Sequence, residues 1–313
     1  MQRGRSAGVR QYRVAGVACA IAVLAAPLLF GQQAQDRQSG MFDRIRSGRA
    51  LRLGYRTDAR PFAYTGSTGR PEGYSISLCE RIAVAVKREF GLGSLPLEWV
   101  PLAVDSRFQT LAQGKVDVLC GAETETLARR EEASFSIPIF PGGIGVLVRG
   151  DAVRLQEVLS GRQISQPIWR AAATRALQAR TFSVVEGTTT ETWLPARMRE
   201  LDVIADVTRI KAYDEGVQAV MERRSDAFFG ERAILLDAVR RHAYTSNLLV
   251  LDRQFTYERL GLAIRRGDEA FRLLVDRALS GLYLSGEVVP LYAASFGEPD
   301  ANALAFFQWN TLR

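Results

Sequence analysis

From Leu51 onward the hydrophobic pattern changes period repeatedly, and this alternation limits the chain more than any other feature. "LRLGY" (51–55) reads as a short strand. "SISLCERIAVAVKREFG" places Ile76, Cys79, Ile82, Ala83 and Val86 at helical spacing, and Gly91 and Gly93 end the run. "LPLEWVPL" (95–102) predicts a second strand, "SRFQTLAQGK" (106–115) a short helix and "VDVLCG" (116–121) a third strand. Strands alternating with helices across short turns imply an α/β protein built on an open, mainly parallel sheet flanked by helices. A turn-rich stretch, "FSIPIFPGG" (135–143), interrupts the pattern before the strand "IGVLVRG" (144–150). A second series starts at Phe182. It reads as strand, helix from about Thr190, strand near 202–208, helix near 214–224, strand 226–231, helix 232–242, and strand 247–251. A strand-then-turn (258–268) follows, then two helices in 269–297 broken between Gly281 and Gly286. Residues 151–180 fit neither series cleanly, and no internal repeat is visible.

Open parallel sheets bind ligands beyond the carboxyl ends of their strands. The first strand runs into "GYRTDARPFAY", which puts Arg56 at a strand exit with Phe62 and Tyr64 behind it. Arg107 opens the helix after the second strand. Thr124 and Arg129 follow the third in "CGAETETLARR". In "FSVVEGTTTETWL" a strand stops at Gly187 and a helix follows Thr188 and Thr189; helix starts leave N–H groups without intrahelical partners and attract anions. Glu231 closes "DAFFGE". Arginines, threonines, two aromatics and one carboxylate suit a small zwitterion with extra negative charge, because arginine grips a carboxylate through paired hydrogen bonds and Glu231 can accept from an ammonium group. Each residue also has a plainer reading: a solvated surface arginine, a helix cap, a core aromatic.

The first 13 residues carry Arg3, Arg5, Arg10 and Arg13 and no acid, and an apolar run follows from Val14 to Phe30. Residues 1–34 therefore predict a cleaved secretory signal peptide, with a membrane anchor as the alternative. Without them Lys+Arg falls from 41 to 37 against 34 Asp+Glu, so the net charge of +7 drops to +3. No basic tract with interleaved aromatics is present, so no nucleic-acid partner is expected. After the leader only Cys79 and Cys120 remain, either as a disulfide in an oxidising compartment or as two buried thiols. Cysteine spacing and the single His242 suit no metal, and no cofactor is expected.

The blocks "GYRTDARPFAY", "PEGYSISLCERIAVAV", "GKVDVLCGAETETLARREEASFSIPIF" and "VVEGTTTETW", with "LGLAIRRGD" and "YLSGEVVPLYAASFG" near the end, resemble the periplasmic amino-acid-binding proteins of ABC importers, family 3 of the bacterial extracellular solute-binding proteins. The likeness is greatest to the glutamate/aspartate branch and runs in order from about Leu51 to Gly297. It implies a two-lobe type II periplasmic-binding fold with a two-strand hinge, lobe 1 formed by 41–140 plus 260–313 and lobe 2 by 141–259. It also implies roles for single residues. Arg129 would hold the ligand's α-carboxylate with Thr124, Thr188 and Thr189; Arg56 and Arg107 would hold a side-chain carboxylate; Glu231 would meet the α-ammonium. Ser77 stands where the family block usually has Asp, and Ala122 and Tyr213 stand where that branch commonly has Ser and His, which loosens the link to glutamate.

The resemblance thus implies a periplasmic monomer that closes on an acidic amino acid and docks on a membrane permease, with no covalent chemistry. Two competing expectations are a dehydratase on the same scaffold, with Glu123 or Glu231 as general acid, and a ligand-sensing receptor component. The sequence has no nucleophile–base pair to favour an enzyme. Phe306, Phe307 and Trp309 suggest that the tail 298–313 packs on a lobe.

Overall fold

The computed structural model describes residues 42–47, 49–161, 175–242 and 247–313. All of them belong to the compact unit Met41–Arg313. The leader and the centre of the irregular 151–180 stretch lie outside the described residues.

The first sheet is built as the alternation predicts. Strand β1 (Leu51–Tyr55) pairs in parallel with β5 (Leu97–Pro101) and with β6 (Val118–Thr124). Helix α1 (Tyr74–Glu89) crosses between β1 and β5 and buries Ile76, Cys79, Ile82, Ala83 and Val86, the residues on its apolar stripe. Phe90 caps α1, and Gly91 follows with φ of +61°, where a Cβ would be strained. Helix α2 (Arg107–Ala112) crosses from β5 to β6. Between β1 and α1 lies a small unexpected antiparallel sheet of β2 (Asp58–Ala59), β3 (Ala63–Thr65) and β4 (Pro71–Glu72).

After helix α3 (Leu127–Glu132) come two three-residue strands, β7 (Ala133–Phe135), which leads into the turn-rich stretch, and β8 (Phe140–Gly142), which lies within it. Both pair with β14 (Glu258–Arg265), far ahead in sequence. Their partner was not local, so prolines and glycines dominated the sequence signal. Strand β14 also runs antiparallel to β6, giving the order β5-β1-β6-β14-β7.

The second sheet repeats this plan. Strand β9 (Ile144–Arg149) and helix α4 (Val153–Ser160) precede β10 (Thr181–Val185), α5 (Thr189–Glu200), β11 (Asp206–Ile210), α6 (Tyr213–Met221), β12 (Ala227–Glu231), α7 (Arg232–His242) and β13 (Leu248–Val250). The order is β11-β10-β12-β9-β13, with β10 parallel to β11 and β12, and β9 antiparallel to β12 and β13. In each sheet, then, a strand of the crossing chain is inserted against the parallel trio. The result is an α/β fold of two lobes, joined by segments that meet where β8 pairs β14 at Gly142 and Glu258. Strand β11 begins later than the 202–208 expected, because Leu201–Val203 finish the turn closing α5 and the Val203 amide donates to the Met198 carbonyl at 2.9 Å.

Helix α8 (Glu269–Ser285) runs straight through Gly281 and stops at Gly286, which is left-handed at +78°. Helix α9 (Val288–Phe296) follows, and α10 (Ala301–Trp309) orders the tail. Phe307 is buried at 4% exposure, but Trp309 is 88% exposed and does not pack. Cys79 on α1 and Cys120 on β6 form a disulfide. Their separation of 41 residues makes the bridge worth about 4 kcal/mol by loss of unfolded-chain entropy.

Candidate functional site

The strand exits of both sheets converge on one cleft that encloses about 50 Å³. From the first lobe come Arg56, Phe62, Arg107, Thr124 and Arg129. From the second come Thr188, Thr189, Tyr213 and Glu231. Of the residues singled out from the sequence, only Tyr64 lies outside the lining. Its ring sits under the Arg60 guanidinium, 4.2 Å from the ring centre, and burial with the Glu72 side chain raises its phenol above the usual value. Phe62 touches the cleft from below but is wholly buried, packed edge-on against Phe140 at 5.0 Å and tilted against Phe296 at 5.3 Å. It is a core ring that forms a wall rather than an exposed stacking platform.

The three arginines reach the cleft from three elements. Arg56 leaves the end of β1 and grips Asp58 through Nε at 3.0 Å and Nη2 at 2.8 and 2.9 Å. Its guanidinium lies 5.5 Å from the Tyr213 ring centre. Arg107, first in α2, donates from Nε to Glu123 Oε2 at 2.8 Å and from Nη1 to the Val104 carbonyl. Arg107 and Glu123 are each only 4% exposed. Burial pushes the Glu123 carboxyl up, but Arg107, Arg129 and Arg56 more than offset it and hold the group below the usual carboxylate range. Glu123 is therefore kept ionised.

Arg129 is positioned by α3, whose N-cap Thr126 accepts from the Arg129 amide at 3.1 Å. Its Nη1 donates to the Thr124 carbonyl at 3.0 Å. Its Nη2 and both terminal nitrogens of Arg107 point at the Gly187 carbonyl of the second lobe, at 3.4 and 3.5 Å. Burial lowers the Arg129 pKa, with Glu123 opposing and Arg107 reinforcing.

The second lobe brings hydroxyls and an acid. Thr188 precedes α5, and its Oγ1 turns back to donate to the Val185 carbonyl at 2.6 Å. Glu191, rather than Thr188, satisfies the Gly187 amide at 2.8 Å. In the first turn of α5 the Glu191 amide donates to the Thr188 carbonyl at 3.3 Å; Thr189 and Thr190 beside it line the cleft. Tyr213 opens α6, and its hydroxyl accepts from the Glu231 amide at 3.3 Å; burial raises its phenol well above the usual value. Glu231, at the end of β12, accepts from the Gly143 amide at 2.9 Å and the Ala233 amide at 3.3 Å. Burial pushes its pKa up to about 8 despite those donors, and nearby Glu258 adds to the rise.

Glu258 was not singled out from the sequence. It starts β14, accepts from Thr256 Oγ1 at 2.8 Å and from Thr189 Oγ1 at 3.2 Å, and lines the cleft. Ile144, Ile234 and Leu260 were also missed; they supply apolar wall. No local signal marked them, because each is one apolar residue within an element whose neighbours are also apolar.

A cleft between two α/β lobes, lined by three arginines with Glu123 and Thr124 from one and by hydroxyls and Glu231 from the other, defines a two-lobe small-solute receptor of the type II periplasmic-binding fold. The model of the bacterial extracellular solute-binding proteins, family 3, matches residues 51–298, and this chain belongs to that family. It is 28% identical to an L-glutamate/L-aspartate-binding protein of Pseudomonas aeruginosa over 92% of this chain and 89% of the relative. It is 23% identical to the L-cystine-binding protein of Escherichia coli over 88% of this chain and 93% of the relative. Among solved structures, an ancestral amino acid-binding protein described as a precursor of cyclohexadienyl dehydratase superposes with a TM-score of 0.65 at 26% identity, covering 82% of this chain and 99% of that one. The cysteine-binding protein of Campylobacter jejuni gives 0.66 at 21% identity, covering 83% and 95%, and speaks for the fold alone.

Proposed function

We propose that the protein is a periplasmic receptor that captures an amino acid, of acidic glutamate/aspartate type, by closure of its lobes and delivers it to the permease of an ABC importer. One observation carries the reading: Arg56, Arg107 and Arg129 reach a single cleft opposite Thr188, Thr189 and Glu231. In this reading Arg129 and Thr124 take the α-carboxylate with the start of α5, Glu231 takes the α-ammonium, and Arg56 and Arg107 face the side chain. Residues 41–140 with 260–313 would move against 141–259 about the paired segments at Gly142 and Glu258. Export on a cleaved leader, residues 1–34, and a monomeric mature chain complete the proposal. The P. aeruginosa relative supports an acidic ligand, while the E. coli relative binds cystine.

The test is thermal unfolding of the mature chain, stripped of ligand by refolding, against the common amino acids and dicarboxylates. Ligand at 100 times its Kd adds about 2.7 kcal/mol. A shift with glutamate or aspartate that disappears in Arg129→Ala supports the reading. A shift with other amino acids only retains the receptor and removes the acidic assignment. No shift with any amino acid overturns it.

A second reading rests on Glu231, whose raised pKa leaves it largely protonated at neutral pH, as a general acid must be. It predicts that Glu231 protonates the leaving hydroxyl of a prephenate-like acid as the ring carboxylate leaves as CO2, its bonding electrons forming the aromatic ring and releasing water; absence of aromatic product absorbance would remove it.

A further inference from the structure

The cleft contains its own carboxylate on a cation assigned above to the ligand side chain. Glu123 Oε2 lies 2.8 Å from Arg107 Nε, both residues are 4% exposed, and both line the cleft. Arg56 is likewise held by Asp58, through both of its carboxylate oxygens. Arg129 differs: its guanidinium donates to backbone carbonyls, those of Thr124 and Gly187. One arginine is thus ready for a ligand carboxylate, and two are already matched by carboxylates of the chain. A second ligand carboxylate near Arg107 would enter beside Glu123, where two like charges share one guanidinium in a poorly solvated space. An amide or hydroxyl in the same place faces no such repulsion.

We propose that Glu123 is a specificity-determining residue that occupies Arg107 and limits the cleft's preference for an acidic side chain over its amide or hydroxyl counterpart. This rests on the amino-acid-receptor reading and narrows its side-chain class: an acidic ligand, where bound, is held less tightly than the three arginines alone would allow. Glu123 acts through Arg107, so its signature is a ratio of affinities rather than a loss of binding.

The test is calorimetric titration of the refolded mature chain with L-glutamate and L-glutamine. Glu123→Gln keeps the shape and removes the charge. It is expected to raise the preference for glutamate over glutamine at least tenfold relative to the parent. Glu123→Asp withdraws the carboxylate from Arg107 while keeping its charge; it should move the ratio the same way by less, and it carries the test if Glu123→Gln does not refold. Arg107→Gln combined with Glu123→Gln removes the cation too, and the gain should vanish. An unchanged or reversed ratio in the single variants overturns the proposal while leaving the receptor reading in place. So does binding of other amino acids with neither glutamate nor glutamine bound by any of the proteins. Absence of binding by every amino acid overturns both.

Discussion

Replacing Glu231 with glutamine should make the ligand-free protein more stable, and the gain should depend on pH. The folded-state pKa of Glu231 is raised from the ordinary 4.5 to about 8, with burial as the main cause. The folded chain therefore binds more protons than the unfolded chain between these values. The stability associated with the protonated group is fully present below about 4.5 and is lost as pH rises through 8. At 1.36 kcal/mol per unit the whole difference is about 5 kcal/mol. Glu231 keeps part of its surface accessible, and screening by water reduces this to roughly 2–3 kcal/mol. Glutamine carries no titrating group, and its one carbonyl oxygen can keep the 2.9 Å bond from the Gly143 amide, leaving the longer 3.3 Å bond from the Ala233 amide unmade, as a protonated carboxyl largely does. Urea unfolding at intervals from pH 5 to 9 should show Glu231→Gln close to the parent at pH 5, progressively more stable through pH 7, and level above pH 8. A difference that stays flat across this range, or grows toward acid, would refute the reasoning. In the receptor reading the same carboxylate must ionise to meet an ammonium, so amino-acid affinity of the parent should rise by up to about tenfold between pH 7 and 8.5, with a flat profile in Glu231→Gln.

Removing the disulfide by Cys79→Ala with Cys120→Ala should lower stability by about 4 kcal/mol, read by urea unfolding; reduction of the parent should approach the same value. Gly187→Val should weaken amino-acid binding by an order of magnitude through faster dissociation. The reason is that Gly187 has φ of +71° and its Cβ would press on Val104 of the other lobe at 3.1 Å; stopped-flow release measures the effect. Gly143→Ala should destabilise the crossing, because a Cβ there would fall on the Thr256 carbonyl and the Gln254 side-chain amide; the loss should exceed 1 kcal/mol in thermal unfolding. Asp276→Ala should cost roughly 3–5 kcal/mol, since Asp276 is buried, accepts from the Ile137 amide at 2.8 Å and pairs with Arg272 at 2.8 Å.

How far the sequence could be read depended on whether the partner of each residue was near in the chain. Helix α1 was legible to within a residue or two because its stripe, its basic last turn and its glycine stop all lie within one stretch. The cleft arginines were legible for a related reason. A parallel strand that feeds a helix puts its last residues at one edge of the sheet, so Arg56, Arg107 and Arg129 share that edge whatever the register. Tyr64 failed the same test. The turn after Phe62 pairs Tyr64 with Asp58 and Glu72 in a separate small sheet, which turns its ring toward Arg60 and away from the cleft.

Strands β7 and β8 were hidden because their shared partner, β14, begins more than a hundred residues later. Glu258 was hidden by the same long-range pairing. In sequence it is an acid at the start of an apolar run, with nothing beside it to suggest a ligand. It enters the cleft only because β14 pairs with β8, setting Glu258 against Gly142 and within reach of Thr189. This acid thus lies where the two crossing segments touch. Its bonds to Thr189 at 3.2 Å and to Thr256 at 2.8 Å tie the start of β14 to residues of the second lobe.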